Sequence, residues 1–383
     1  LSNYTQSTNF ATKDALSPGD PLKIVRGTEI NTEFTNIAVA VATKFDTTAL
    51  ASPGPIGATT PSTINATTVT ASGNVQMASA NGGQLAGLRN RVINGAMRID
   101  QRQNGGSITI TSAGVYTVDR SFSAATGANL TGNRTASGLA GLPFATQFLG
   151  AASNTAAQLG QRIEAANIQD FVTGTTITIS CYIYSSAAFT PTWQWITATS
   201  TDTTYSTVGD SGSFAAVPAT TWTRVTATFA APANTTNGAQ VTILLGATLA
   251  GVTKLVTGLQ VEVGPVATPF EQRPIGMELA LCQRYLPQGN GASGWAYALN
   301  SGQYAFSFPV TPRVGPTGVT VISHATLTST GATAQISNSA VFAGSGTQNC
   351  GIVNLSSAAN FASTAGFGSM ATNGNYLFTG CEL

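Results

Sequence analysis

A mainly β protein is what this sequence predicts, on three observations. Apolar and polar residues alternate with period two in several separate segments, as in half-buried strands. Gly, Ser, Thr, Asn and Ala are abundant while only 8% of residues are charged, against roughly a quarter in ordinary soluble domains. Gly, Asn, Pro and Ser cluster between the alternating runs, where turns belong. Length and a 42% hydrophobic content allow two or three domains with real cores.

Charge divides the chain. Nine of the 31 charged residues lie between Lys13 and Asp46, none between residues 47 and 88, and the last 99 residues hold only Arg313 and Glu382. Five segments follow: 1–46, 47–88, 89–273, 274–287 and 288–383. In the first, "SPGDPLKIVRG" forms an irregular strap suited to docking on another protein. Behind it Ile30, Phe34, Ile37 and Val41 follow at spacings of four, three and four, the stripe of a short amphipathic helix. That stripe either packs on its own domain or forms a seam between identical chains, since two heptads do not by themselves specify a coiled coil.

Segment 47–88 contains no ionic side chain. Thr67, Thr68, Val69, Thr70 and Val75 favour extension, and Pro53, Pro55 and Pro61 exclude a long helix. An isolated extended strand buries too little to offset its ordering entropy. The segment is therefore either a loose linker or a shaft in which several copies satisfy one another's backbone groups, where lack of charge avoids repulsion at the symmetry axis. Fully extended it reaches on the order of 140 Å.

Segment 89–273 predicts an antiparallel β-sandwich, most economically a jelly roll. In "TTITISCYIYSS" Ile177, Ile179, Cys181 and Ile183 face one way and Thr178, Ser180, Tyr182 and Tyr184 the other. In "TWTRVTATFAAP" Thr223, Val225, Ala227 and Phe229 oppose Trp222, Arg224, Thr226 and Thr228, and in "GLQVEVG" Leu259, Val261 and Val263 point inward. "PIGMELALCQRYL" then predicts a helix that Pro274 can start and Pro287 ends, with Ile275, Leu279, Cys282 and Leu286 as its stripe. Beyond it, Tyr304, Phe306, Phe308 and Val310, then Val319 and Val321, then Tyr376 and Phe378, predict a second small β domain.

Several function classes are disfavoured. The longest aliphatic run, Ile37 to Ala42, falls far short of the roughly 18 to 20 residues of a membrane span, so no membrane insertion is expected. The opening "LSNYTQSTNFATKDAL" lacks the basic and apolar regions of a secretory signal. Cys181, Cys282, Cys350 and Cys381 are widely spaced, as suits structural thiols in a reducing compartment rather than disulfides or a zinc site. A net charge of +1 provides no broad field for nucleic acid. No HExxH, P-loop or GxGxxG occurs, so no metal or cofactor is expected.

Catalysis has little material. His324 is the sole histidine and Glu382 the sole carboxylate of its segment, too few for a Ser-His-Asp triad. Glycoside hydrolysis needs two carboxylates about 5 to 9.5 Å apart. Asp119, Glu164, Asp170, Asp202 and Asp210 are available, but Asp119 with Arg120 and Arg162 with Glu164 are better read as ion pairs tying strand ends. Binding of saccharide is easier to support, because sugars stack their apolar faces on aromatic rings. The candidates are Trp295, Tyr297, His324, Phe342, Phe361, Phe367 and Tyr376, with Trp193 and Trp195 as an alternative pair. Trp295 is the best single choice for exposure, set among the loop formers of "GNGASGWAYALNSGQ". Arg89, Arg91, Arg98 and Arg102 are candidates for an anionic glycan, although such residues more often support structure.

Several motifs, in order, carry a resemblance. "YTQSTNFATKDALSPGDPLKIVRGTEINTEFTNIAVAVATK" resembles the virion-attachment segment of tail fibres from short-tailed bacteriophages, and "PIGATTPSTINATTVTASGNV" is similar to their shafts. "RNRVINGAMRIDQRQNGG", "YTVDR", "LGQRIEAANIQDF", "LQVEVGPVATPFEQRP" and "MELALCQRYL" resemble a carbohydrate-binding-like β-sandwich that recurs in phage fibres and tailspikes. The last hundred residues match only in style, through "FSFPVTPRVGPTGVT". One departure is Ser121, where the family usually has Trp after the Asp-Arg pair.

The resemblance implies an elongated homotrimeric fibre, a structural protein of the virion assembled in the host cytoplasm. Its N-terminus would attach to a tail adaptor or nozzle protein, with Ile30, Phe34, Ile37 and Val41 in the attachment and trimer helix. Its C-terminal β tip would meet host surface polysaccharide without cutting it. The alternatives are a polysaccharide-degrading tailspike with intersubunit carboxylates and an architectural collar or whisker fibre.

Overall fold

The computed structural model describes residues 4–42, 87–329, 332–363 and 368–383, the side chains of 345–347 excepted. The chain divides into two compact units, Leu1–Val75 and Gln76–Leu383. All but the last two residues of the expected 47–88 shaft, and Phe367, lie outside the described residues.

In the first unit, Asn9 caps helix α1 (Phe10–Asp14) by accepting the Ala11 amide, and Asp20 caps the 3-10 turn Pro21–Lys23 through the Leu22 amide. Helix α2 (Gly27–Ala42) starts where Glu29 accepts the Arg26 amide and pairs with Lys13 at 2.7 Å. Lys13 also donates to the carbonyls of Leu22 and Ile24, so one cation gathers the turns of the strap. The predicted stripe of α2 faces solvent: Ile30 and Ile37 are about 40% exposed and Phe34 and Val41 over 60%. Among the described residues of this unit none covers the stripe.

Polar bonds attach the N-terminal strap instead. Glu33 is buried and its carboxylate accepts from the Ser7 amide (2.8 Å), the Ser7 hydroxyl (2.6 Å), the Thr8 amide and the Tyr4 hydroxyl. These bonds, that of Ser7 first and Tyr4 next, hold the Glu33 carboxyl down to about 2. Because the folded value lies below the unfolded one, the stabilisation is complete above pH ~4.5 and disappears as pH falls towards 2. Amide exchange at Ser7 and Thr8, relative to the intrinsic rate at each pH, is therefore expected to be slow at neutral pH and to approach the intrinsic rate only in that acid window. In Glu33→Gln it should be fast throughout, since one amide oxygen cannot replace two carboxylate oxygens. Equal protection in the variant would contradict this.

The second unit opens with twelve antiparallel strands: β1 (Ile108–Ile110), β2 (Val115–Val118), β3 (Ser121–Gly127), β4 (Leu130–Leu139), β5 (Leu142–Leu149), β6 (Asn154–Ile163), β7 (Thr176–Ser185), β8 (Thr192–Ser200), β9 (Thr203–Ser213), β10 (Thr223–Ala230), β11 (Ala239–Gly246) and β12 (Thr253–Val263). They form two six-stranded sheets, ordered β1-β4-β5-β12-β7-β10 and β2-β3-β6-β11-β8-β9. From β6 onward nearly every connection changes sheet, as a jelly roll requires. Ile177, Ile179, Cys181, Ile183, Val225, Leu259 and Val261 are buried, meeting Leu159, Trp195, Val241 and Ile243 of the other sheet in one core.

Alternation leads one to expect a wet outer face on β7 and β12, but Thr178, Ser180, Gln260 and Glu262 are buried there too. The chain after β12 folds back across them. Thr268 donates its amide and hydroxyl to Glu262, and Gln260 accepts the Glu271 amide, so every covered polar group named has a partner.

Helix α3 (Ile275–Gln283) follows with Pro274 at its N-cap. Cys282, Tyr285 and Leu286 are buried, and Cys282 and Tyr285 join Ile93 and Ile99 in a satellite core, while Ile275, expected in the stripe, is exposed. The remaining strands are β13 (Gln288–Gly289), β14 (Ala292–Ala298), β15 (Ser301–Ser307), β16 (Gly318–Ser323), β17 (Thr326–Ser329), β18 (Gln335–Thr347), β19 (Cys350–Ser357), β20 (Gly368–Thr372) and β21 (Asn375–Thr379). Six close a barrel in the order β14-β15-β19-β18-β17-β20, and β13-β21-β16 form a separate sheet. Tyr304, Phe306, Leu327, Val353, Leu355, Phe361, Tyr376 and Phe378 fill the core. Phe308 and Val310, expected on one strand face with Tyr304, lie past the end of β15.

Candidate functional site

The sole alternating aromatics that the barrel turns outward on one strand belong to β14, among the described residues. Ala296 points inward and is buried, so Trp295 and Tyr297 stand on the outer face, 50% and 51% exposed. Gly294 is required on the inner side, where a Cβ would meet the Gln303 carbonyl oxygen at 1.9 Å.

Register completes the surface. Trp295 lies opposite Gln303 of β15 on one side and Gly368 of β20 on the other. Gln303 in turn lies opposite Asn354 of β19 and donates to its side-chain oxygen at 3.2 Å. A Cβ on Gly368 would touch nothing within 4 Å, so among the described residues none covers the indole from that position. Beside it opens a hollow of about 380 Å³ whose lining includes Ser293, Thr328, Ser329 and Met370. An exposed indole and phenol, an amide pair and a hydroxyl-lined hollow thus share one uncharged face. Such a surface offers stacking for the C–H face of a sugar and hydrogen bonds for its hydroxyls.

The other predicted residues are elsewhere. Trp193 and Trp195 are corrected to core: both sit on the inward face of β8, with ring centroids 4.8 and 5.4 Å from Phe229, and the Trp195 indole donates to Thr235. Their two-residue spacing puts them on one face, and that face is the sandwich interior. Phe361 and Tyr376 are likewise buried, and the Tyr376 hydroxyl accepts the Ala325 amide. Phe342 is half-buried with its ring edge on Phe378, supporting the core. His324 is exposed beside Ser337, but it precedes Thr326, whose partner Thr372 is four residues from Gly368. At about 3.3 Å per residue that puts it more than about 13 Å along the sheet from Trp295. Gln303, Asn354, Ser293 and Gly368 were not singled out, because amides, hydroxyls and glycines are common throughout this sequence and only register assembles them.

The expected ion pairs also differ. Arg120 does not pair with Asp119, nor Arg162 with Glu164. Arg120 and Arg102 both grip Glu382, while Glu164 takes Arg284 at 2.7 Å and the Tyr285 hydroxyl at 2.8 Å. Burial pushes the Glu164 carboxyl up, but the bonds from Arg284 and Tyr285 outweigh it and hold it below the usual range. Arg91 pairs with Asp170, and Arg98 donates to the Arg273 carbonyl. Ser121 is buried against the Met97 sulfur.

Asp119 is buried beneath Gln101, whose side chain donates to it at 2.7 Å, and burial pushes its carboxyl up to about 6. Its folded value lies above the unfolded 3.8. Its contribution is therefore fully present below pH ~3.8 and is lost as pH rises through 6, a difference of about 2–3 kcal/mol. Asp119→Asn keeps an acceptor for only one of the two Gln101 donors but carries no charge, so its stability relative to wild type in chemical denaturation is expected to improve by that amount between pH 4 and pH 7. A variant equally destabilised at both pH values would contradict this.

No family model matches the chain, and no curated protein matches it. Solved structures similar to it include the enzymatically active domain of tailspike protein 4 of Bacteriophage CBA120, 13% identical over 45% of this chain and 21% of that one, with a TM-score of 0.32. Others are the family 11 carbohydrate-binding module of Clostridium thermocellum, at 11%, 39%, 89% and 0.24, and the tandem CBM22 modules of Paenibacillus barcinonensis Xyn10C, at 12%, 73%, 100% and 0.25, in the same order of quantities.

Proposed function

We propose that this chain is the tail fibre of a short-tailed bacteriophage and that the outer face of its C-terminal barrel, around Trp295 and Tyr297, binds host cell-surface glycan. The observation that carries the glycan reading is the pair of half-exposed aromatics on β14, flanked by Gln303 and Asn354 on one side and the hollow beside Gly368 on the other. Two neighbouring exposed aromatics rimmed by amides and hydroxyls form the kind of surface on which a sugar stacks. The tail-fibre part rests on the ordered motifs from Tyr4 to Leu286.

In this reading three copies assemble, and the N-terminal unit docks into a tail adaptor or nozzle protein. What supports assembly is the solvent-facing stripe Ile30, Phe34, Ile37 and Val41 on α2, which the described residues leave uncovered. Binding proceeds without hydrolysis, because Glu164 and Asp170 are held in ion pairs and Asp119 is buried beneath Gln101. The test is adsorption: the purified chain, incubated with host bacteria, competes with phage for attachment and releases no reducing ends. Undiminished adsorption at saturating protein would overturn the receptor-binding role, and release of reducing ends the non-hydrolytic one.

A further inference from the structure

We infer that a second cleft, at the edge of the sandwich, is a saccharide site selective for a sugar residue carrying a carboxylate. It has a volume of about 270 Å³ and is lined by Ala113, Tyr116, Phe122, Arg162 and Glu382 among others. It shares no residue with the barrel face.

The floor is aromatic. Phe122 lies opposite Gly160 across β3 and β6, where a Cβ would sit 2.8 Å from its ring tip, so the glycine lets the ring lean over the sheet. Tyr116 meets it edge-on, with centroids 6.4 Å apart, and the Arg102 guanidinium covers the Tyr116 ring at 4.6 Å. This leaves a slot with an apolar base for one pyranose ring.

The wall is cationic and fixed. Arg162 donates from Nε to Gln240 and from one terminal nitrogen to the Leu383 carbonyl, and it stacks 4.9 Å from the Tyr205 ring centroid. Its other terminal nitrogen has no hydrogen-bond partner among the described residues, and neither does the Tyr116 hydroxyl; neither atom is sealed from solvent. Both carboxylate oxygens of Glu382 are already occupied by Arg102 and Arg120. Arg102, Arg120 and Arg162 all act on the Tyr116 hydroxyl, with Glu382 the one carboxylate side chain beside it, so cationic side chains outnumber anionic ones at the slot. A carboxylate on the sugar satisfies Arg162 and Tyr116 together; a neutral sugar leaves the charge unanswered.

The full chain is titrated with methyl β-D-glucuronide, with methyl β-D-glucoside, which differs only in the C6 group, and with inorganic phosphate. The glucuronide is expected to bind at least tenfold more tightly than the glucoside and to weaken as salt rises. Arg162→Gln should remove that preference, and Ala113→Trp, a change at an exposed turn position, should block the cleft without touching the core. Repeating the titrations in the Trp295→Ala background silences the barrel face, and the preference for glucuronide over glucoside should persist there, so either site can fail alone. Equal affinity for the two glycosides, or a preference that survives Ala113→Trp, would overturn the inference. Phosphate competing as well as glucuronide would reduce the cleft to a simple anion site.

Discussion

Glu382→Ala is expected to destabilise the chain by about 3–5 kcal/mol, the usual consequence of leaving one half of a buried ion pair behind. Arg120 is 2% exposed, and Glu382 neutralises it while also taking Arg102 at 2.8 Å. Once the carboxylate is gone, Arg120 retains a bond to the Arg162 carbonyl and its stacking 3.6 Å from the Tyr285 ring centroid, neither of which carries a negative charge. The effect is also positional. Arg313 donates to the carbonyls of Cys381 and Glu382, and its amide donates to the Arg284 carbonyl. The C-terminal segment thus fastens the barrel to the sandwich. Calorimetry should show one transition for the wild type and two for Glu382→Ala, with the barrel melting first. Glu382→Gln, which keeps the acceptor oxygen without the charge, should fall between. A variant that melts within 1 °C of wild type in one transition would contradict this account of the junction.

Legibility followed the range of the interactions concerned. The inward faces of β7, β10 and β12 could be read directly, since a period of two is a local property of Ile177 to Ile183 or of Leu259 to Val263. The α2 stripe and the helix after Pro274 were legible for the same reason, at a period near 3.6. What stayed hidden was set by distant partners. Glu382 stood out as the one carboxylate of its segment, yet its partner Arg120 is 262 positions away, and nothing near either residue announces the pair. Glu262 and Gln260 looked like solvent-facing positions because alternation carries no information about a loop that returns to cover them. Trp193 and Trp195 show the limit most plainly. Their spacing fixed a shared face, but whether that face met water or the opposite sheet depended on partners such as Phe229, more than 30 residues away. Trp295 was legible because its flanks are turn formers; its companions Gln303, Asn354 and Gly368 come from three other parts of the chain and meet only through barrel register.

Trp295→Ala is expected to weaken glycan binding by about 2 kcal/mol, roughly 30-fold, as for a central aromatic anchor. The fold should tolerate it, because the indole is half exposed and the neighbouring Ala296, not Trp295, contacts the barrel core. Tyr297→Ala should cost less, and the double variant more than either. Filling the hollow from the other side gives an independent check: a Cβ on Gly368 meets no atom within 4 Å, so a bulky residue there is sterically admissible yet would stand against the open flank of the indole.

The most direct measurement is isothermal titration of the full chain and of its Trp295→Ala, Tyr297→Ala double variant against polysaccharide stripped from the host surface. The account predicts saturable binding by the wild type and at least a hundredfold loss in the double variant, with the melting temperature unchanged. An affinity equal to wild type in a double variant that melts normally would contradict it.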